Sequence, residues 1–198
     1  MQIKQIINTF YTSNTFVLSV DGNTNVWLVD CGDYASQIRP LLNGRIVNGV
    51  LLTHTHSDHI YGLNDLIKDF PEVKIYTNEF GNIALGDPKM NISKYHMEIN
   101  DLIIEHNDNT FVVNEDAEIH LYEGISAKVL FTPGHDKSCL SYIINDNLFT
   151  GDSYIPGERL LALFPNSNKI DAKKSYDRLV KLSKNYTLYP GHGTWVRK

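Results

Sequence analysis

Within the six residues His54-Thr55-His56-Ser57-Asp58-His59 lie four side chains that can offer a lone pair to a cation. They follow directly on the apolar run Ile46 to Thr53, which reads as an interior strand. In extended backbone, residues i and i+2 point to the same side, so His54 and His56 can grip one ion together. Where the chain then turns toward a helix, Asp58 and His59 can face a second ion. Three later segments repeat one grammar, an apolar strand, a turn containing glycine, then a ligand-type side chain. They are Val129-Leu130-Phe131-Thr132-Pro133-Gly134-His135, Leu148-Phe149-Thr150-Gly151-Asp152 and Leu188-Tyr189-Pro190-Gly191-His192-Gly193. Alone, each would be an ordinary surface turn. Together with the first motif they point to seven ligands, His54, His56, Asp58, His59, His135, Asp152 and His192, for two metals.

Those turns need strands to carry them. The spacing predicts strands at Ile3 to Ile7, Thr15 to Val20, Val26 to Asp30, Ile46 to Thr53 and Val73 to Tyr76. A second meander is expected over Thr110 to Val113, Ile119 to Tyr122, Ile125 to Thr132, Leu140 to Ile144 and Leu148 to Thr150, with a last strand at Thr187 to Tyr189. Helical spacing appears at Ala35 to Leu42, Gly62 to Phe70, Asn78 to Leu85 and from a cap at Asp171 to about Lys184. Two runs of strands, each followed by helices, suggest two sheets face to face with helices outside, a layered α/β arrangement. Residues 78–109 read as an irregular insertion in a single domain spanning 1–198.

The ordered set HTHSDH, TPGH, FTGD and YPGHG resembles the metallo-β-lactamase superfamily, in particular its glyoxalase II-like branch, and the resemblance covers almost the whole chain. It implies a four-layer αββα sandwich. It also implies that His54, His56 and His135 hold the first metal, that Asp58, His59 and His192 hold the second, and that Asp152 bridges both. Val29-Asp30-Cys31-Gly32 matches the family's aspartate turn, which would make Asp30 the residue that orients a ligand; an ordinary strand-end turn is the competing reading. The implied chemistry is hydrolysis of a thioester or ester by a metal-activated hydroxide, with Asp58 orienting the water or taking its proton. The ions would be two divalent cations, zinc first, with iron or manganese as alternatives. A single iron at His54, His56 and His135 would instead resemble the persulfide dioxygenases. Lactonase, phosphodiesterase and non-catalytic binding readings rank lower.

Departures from the glyoxalase pattern matter as well. Asp136-Lys137-Ser138-Cys139 stands where that family has a threonine and a further glycine, and the chain ends six residues after His192, without the helical domain that grips glutathione. Substrate contacts are therefore expected from internal loops, with Tyr61, Lys94, Tyr95, Lys137, Tyr154 and Arg159 as pocket candidates, or from a partner subunit in a homo-oligomer. His96, His106 and His120 carry no motif and read as surface histidines.

The composition fits a globular protein acting on a small molecule. With 18 Lys and Arg against 23 Asp and Glu, the net charge of -5 argues against a nucleic-acid binder. Neither an apolar leader nor a membrane-spanning run is apparent, so a cytoplasmic location and no membrane partner are expected. Cys31 and Cys139 are expected as two reduced, buried thiols.

Overall fold

Along β3 (Asn25–Val29) consecutive side chains go to opposite sides: Val26 and Leu28 enter one apolar core, Trp27 and Val29 another. The same two-residue alternation in β2 (Asn14–Ser19) sends Val17 to the first core and Phe16 and Leu18 to the second. A strand apolar on both faces must be covered on both, and this builds the layers. The computed structural model, which describes residues 1–104 and 108–197, satisfies that demand with two sheets; His106 lies outside the described residues.

The first sheet is ordered β1 (Gln2–Ile7), β2, β3, β4 (Ile46–Leu51), β5 (Lys74–Thr77), β6 (Thr110–Val112), antiparallel up to β3 and parallel beyond it. The second runs β11 (Thr187–Pro190), β10 (Asn147–Gly151), β9 (Leu140–Ile144), β8 (Ile125–Phe131), β7 (Glu118–Tyr122), antiparallel except for the parallel pair β10 and β11. Between them lies the second core, where Phe16, Trp27 and Leu51 meet Val129, Tyr142 and Phe149. Three polar groups in this apolar layer reach backbone carbonyls of the opposite sheet: Trp27 Nε1 donates to Leu121 O (3.0 Å), Tyr122 OH to Leu18 O (2.9 Å) and Tyr142 OH to Leu52 O (2.7 Å). Each fixes the stacking of one sheet on the other without leaving a buried donor unpaired.

Outside the first sheet pack α1 (Ser57–Ile60) and α2 (Leu63–Asp69), through Ile60, Leu63 and Leu66. Outside the second packs α4 (Lys169–Ser183), whose Leu179 meets Leu130, Leu148 and Leu188. These four layers are the αββα sandwich.

Two expectations change, those for the helix after β3 and for the cap of α4. The helix expected over Ala35 to Leu42 is a π-helical turn, Tyr34–Ile38, followed by a 3-10 turn, Arg39–Leu41. Pro40 has no N–H to continue an α-helical ladder. In the described part of the 78–109 segment, after α3 (Glu79–Ala84), Leu85, Leu102 and Ile104 enter the same core as α2, and the Asn91 carbonyl accepts from Ser57 N (2.9 Å). Helix α4 is capped by Asn168, whose side chain accepts from Ile170 N (2.9 Å) and Asp171 N (3.1 Å), while Asp171 sits in the first turn. The free thiols Cys31 and Cys139 are both buried, as expected. Among the described residues no helix is long and apolar enough to cross a membrane.

The cap assignment has a measurable consequence. Asn168→Ala is expected to cost about 1 kcal/mol in thermal or denaturant unfolding, and Asp171→Ala less, because only the former frees two helix N–H groups. Equal costs, or a larger one for Asp171→Ala, would contradict it.

Candidate metal centre

Strands β8, β10 and β11 run in one direction in the second sheet, so their C-terminal ends share an edge, and the end of β4 in the first sheet meets that edge: Leu140 N donates to Thr53 O (2.7 Å). Each of the four ends delivers part of the predicted set. Two glycines make the convergence feasible. Gly134 has φ +134°, and a Cβ there would lie 2.0 Å from the Ala172 backbone nitrogen of α4. At Gly191 a Cβ would fall 2.0 Å from Asp152 Oδ1, so only glycine lets β11 pass this close to the carboxylate.

The structure brings all seven predicted residues together. Three overlapping groups, His54 with His56 and His135, His54 with His59 and Asp152, and Asp58 with His59 and His192, each hold ligand atoms within 4.8 Å of one another. His135 Nε2 lies 3.0 Å from His56 Nδ1 and 3.5 Å from Asp152 Oδ2. On the other side, His59 Nε2 is 3.5 Å from Asp58 Oδ2 and 3.6 Å from Asp152 Oδ1, and His192 Nε2 is 3.3 Å from Asp58 Oδ2 and 3.4 Å from Asp152 Oδ2. Asp152 therefore reaches both groups.

The far nitrogens of these rings decide which atoms face inward. His59 Nδ1 donates to Asp30 Oδ2 (2.8 Å) and His135 Nδ1 to the Leu161 carbonyl (2.9 Å). The Thr53 hydroxyl donates to Asp30 Oδ2 (2.7 Å) and so accepts from His54 Nδ1 (3.2 Å). In each ring the proton is held outside and the Nε2 lone pair is turned toward the centre. His56 is reversed: its Nε2 approaches Asp136 Oδ2 at 3.6 Å and Nδ1 points inward. His54 Nε2, His59 Nε2 and Asp152 Oδ1 are buried with no hydrogen-bond partner. Inward lone pairs without donors, clustered at ligand spacing, fit divalent cations.

Asp30 is more than a turn residue. At φ +60° it also accepts from Thr53 N (2.7 Å), so one carboxylate ties the end of β4 to the His59 ring. Asp136, Thr53 and the Leu161 carbonyl were not anticipated. Only Asp136 left a trace in the sequence, as the acidic residue directly after His135 where the family pattern has threonine. Its carboxylate is buried, with Oδ1 accepting from Ser138 N (2.8 Å) and Ser138 Oγ (2.5 Å).

Above the centre opens a cleft of about 640 Å³, within the range of small-molecule sites. None of the pocket candidates Tyr61, Lys94, Tyr95, Lys137, Tyr154 and Arg159 lines it. Lys94 pairs instead with Asp101 (2.8 Å), Lys137 lies over the Phe80 ring, and Tyr154 packs on Tyr176. Residues remote in sequence take their place, among them Tyr11, Ile92, Ile155, Phe164 and Val196. His96, expected at the surface, is half-buried against Phe10 and Tyr11 and lines the cleft; His120 is exposed on β7 as expected. Phe164 packs edge-on to the His56 and His135 rings, with centroids 4.8 and 5.2 Å away.

A family model described as the metallo-beta-lactamase superfamily matches residues 8–192. The chain belongs to the metallo-beta-lactamase superfamily. With its His/Asp cluster intact, this superfamily member is a metallo-hydrolase. A probable metallo-hydrolase from Streptococcus pyogenes serotype M6 is 30% identical over 201 residues, covering 98% of this chain and 84% of that protein. The hydroxyacylglutathione hydrolase of Xylella fastidiosa is 31% identical over 126 residues, which are 64% of this chain and only 40% of that enzyme. Among solved structures, the BLEG-1 B3 metallo-beta-lactamase superposes with a TM-score of 0.85 at 22% identity, covering 98% of this chain and 93% of that one, a likeness of fold.

Charge is unevenly held across the centre. Burial, assisted by the adjacent His56 imidazole, pushes His135 down to about 4, and burial with His59 and His56 nearby holds His54 well below the ordinary imidazole range. Burial would lower His59 too, but the carboxylates of Asp58, Asp152 and Asp30 raise it to about 9; for His192, Asp152 and Asp58 outweigh burial and raise it to about 10. With no cation at the centre, the inward nitrogens of His59 and His192 take up a second proton instead and pair with Asp58 and Asp152. Their folded-state pKa values lie above the unfolded value near 6.5, so the stability they contribute is complete below that pH and is lost as pH rises through 9 and 10. The melting temperature of chelator-treated protein should accordingly fall between pH 7 and 10, and the fall should flatten in Asp152→Asn. A wild-type profile that is level or rises over that interval would contradict this distribution of charge.

Proposed function

We propose that this metallo-hydrolase cleaves a thioester or a related ester, using two divalent cations. On this reading His54, His56 and His135 hold one ion, Asp58, His59 and His192 hold the other, and Asp152 lies between them. The observation that carries it is the set of buried lone pairs facing one another with their outer nitrogens already bonded, an arrangement that leaves polar atoms unsatisfied unless cations complete it. Imidazole and carboxylate donors suit zinc, iron and manganese, and zinc leads. Such ions, when bound, supply Lewis acidity and lower the pKa of a coordinated water toward ~7.

The protein's own groups then have separable tasks. Asp58 lines the cleft, and although burial pushes its carboxyl up, His59 and His192 bring it below the ordinary carboxylate range. Ionised at neutral pH, it can orient an attacking water and accept its proton. Asp152 balances positive charge at the centre. Asp30 and the Leu161 carbonyl hold His59 and His135 in the tautomers that face inward. Phe164 keeps bulk water from the first group of imidazoles. The thioester assignment draws support from the partial likeness to hydroxyacylglutathione hydrolase.

His56→Ala and Asp152→Ala are expected to remain folded, to lose bound metal by mass spectrometry and to lose thioesterase activity by about a hundredfold or more. Asp30→Asn, which keeps its shape but weakens the bond to His59, is expected to reduce metal affinity about 10- to 100-fold. Full turnover in a chelator-treated sample, or one iron per chain with oxygen consumption, would contradict the hydrolytic reading.

A further inference from the structure

The cleft above the centre has a one-sided chemistry. Among the described residues, no lysine or arginine lines it. Its walls are Ile92, Ile155, Pro156, Leu161, Phe164 and Val196. Away from the centre, its polar lining side chains are Tyr11, His96, Thr194 and the carboxylate of Glu158. Tyr11 OH donates to Glu98 Oε2 (2.8 Å), so the 3.0 Å contact between Tyr11 OH and His96 Nδ1 requires His96 to donate. His96 Nε2 is itself buried, so with Nδ1 engaged by Tyr11 the ring adds little hydrogen bonding to the cleft.

Two backbone outliers hold this wall in place. Ile92, a β-branched residue, sits in the left-handed region at φ +61°, and Tyr11 at φ +50°. Each is costly, and each brings a side chain to the cleft.

Resting on the hydrolase reading, we propose that the substrate is an uncharged, largely apolar acyl thioester or ester. Its reacting carbonyl would lie at the imidazoles and carboxylates of the floor, and its acyl chain along the wall formed by Leu161, Phe164 and Val196. A glutathione thioester carries two carboxylates and one ammonium; along this wall Glu158 could pair with the ammonium only, and both carboxylates would lose hydration without a fixed cation.

The test uses pairs of unreactive analogues in which CH₂ replaces the thioester sulfur, one series built on N-acetylcysteamine and one on glutathione, each with butanoyl, hexanoyl and octanoyl chains. Binding to the wild-type protein is measured by calorimetry, with and without metal, and turnover of the parent thioesters is followed on the metal-loaded enzyme. The neutral series should bind at least about tenfold more tightly than the glutathione series, and each added methylene should strengthen binding by up to about fourfold until the wall is filled. Leu161 is 43% exposed, so Leu161→Arg adds a cation to the wall without opening the core, and it should narrow the gap between the series by up to about fivefold. Equal or tighter binding of the glutathione series to the wild type, or no dependence on chain length, would overturn the inference. If the binding preference holds while neither parent thioester is turned over, the hydrolase reading fails and the character of the cleft stands. If both are turned over and the preference is absent, the reverse conclusion follows.

Discussion

Five imidazoles and two carboxylates largely withdrawn from water at one edge of a sandwich must satisfy one another or be satisfied by cations. Everything else near the site follows from that constraint. An unpaired buried charge costs several kcal/mol, so the protein surrounds the cluster with fixed donors and acceptors. Asp30 takes the outer proton of His59 and the Thr53 hydroxyl, the Leu161 carbonyl takes that of His135, and the Asp136 carboxylate stands against the outer nitrogen of His56. The far side of the cluster is closed, and atoms such as His54 Nε2 and Asp152 Oδ1 are left facing inward without a partner.

The sandwich supplies the rigidity this arrangement needs. Strand β4 comes from one sheet and β8, β10 and β11 from the other, so any sliding between the sheets would pull the ligand groups apart. Trp27, Tyr122 and Tyr142 resist that sliding by bonding to carbonyls across the interface. Ser13 adds a local brace: its hydroxyl donates to the Asp58 carbonyl (2.6 Å) and is itself held by Asn8 Nδ2 (2.9 Å). Positions on strand ends backed by a packed core are more exact than positions on free loops.

The parts of this architecture legible in the sequence are those governed by short-range rules. Strand alternation in β2, β3 and β8 was readable because each residue's side is set by period two, and the ligand turns were readable because His54, His135, Asp152 and His192 each follow an apolar strand within a few residues. What escaped depends on contacts distant along the chain. Tyr11 and His96 meet across 85 positions, and His135 finds its carbonyl partner 26 positions later, in a loop with no motif. The partners of Lys94 and Lys137, Asp101 and the Phe80 ring, are likewise a property of the folded chain. Asp136 was visible as a departure from the family pattern, but its direction toward His56 is a property of the folded turn, where Ser138 fixes the carboxylate.

The central claim is that these seven side chains form one two-cation centre. Anomalous diffraction from crystals of metal-loaded protein, collected on both sides of the zinc, iron and manganese absorption edges, tests it directly. Two peaks are expected among these side chains, one bounded by His54, His56 and His135 and the other by Asp58, His59 and His192, with Asp152 between them. A single peak confined to the first three histidines, or metal bound elsewhere on the chain, would contradict it.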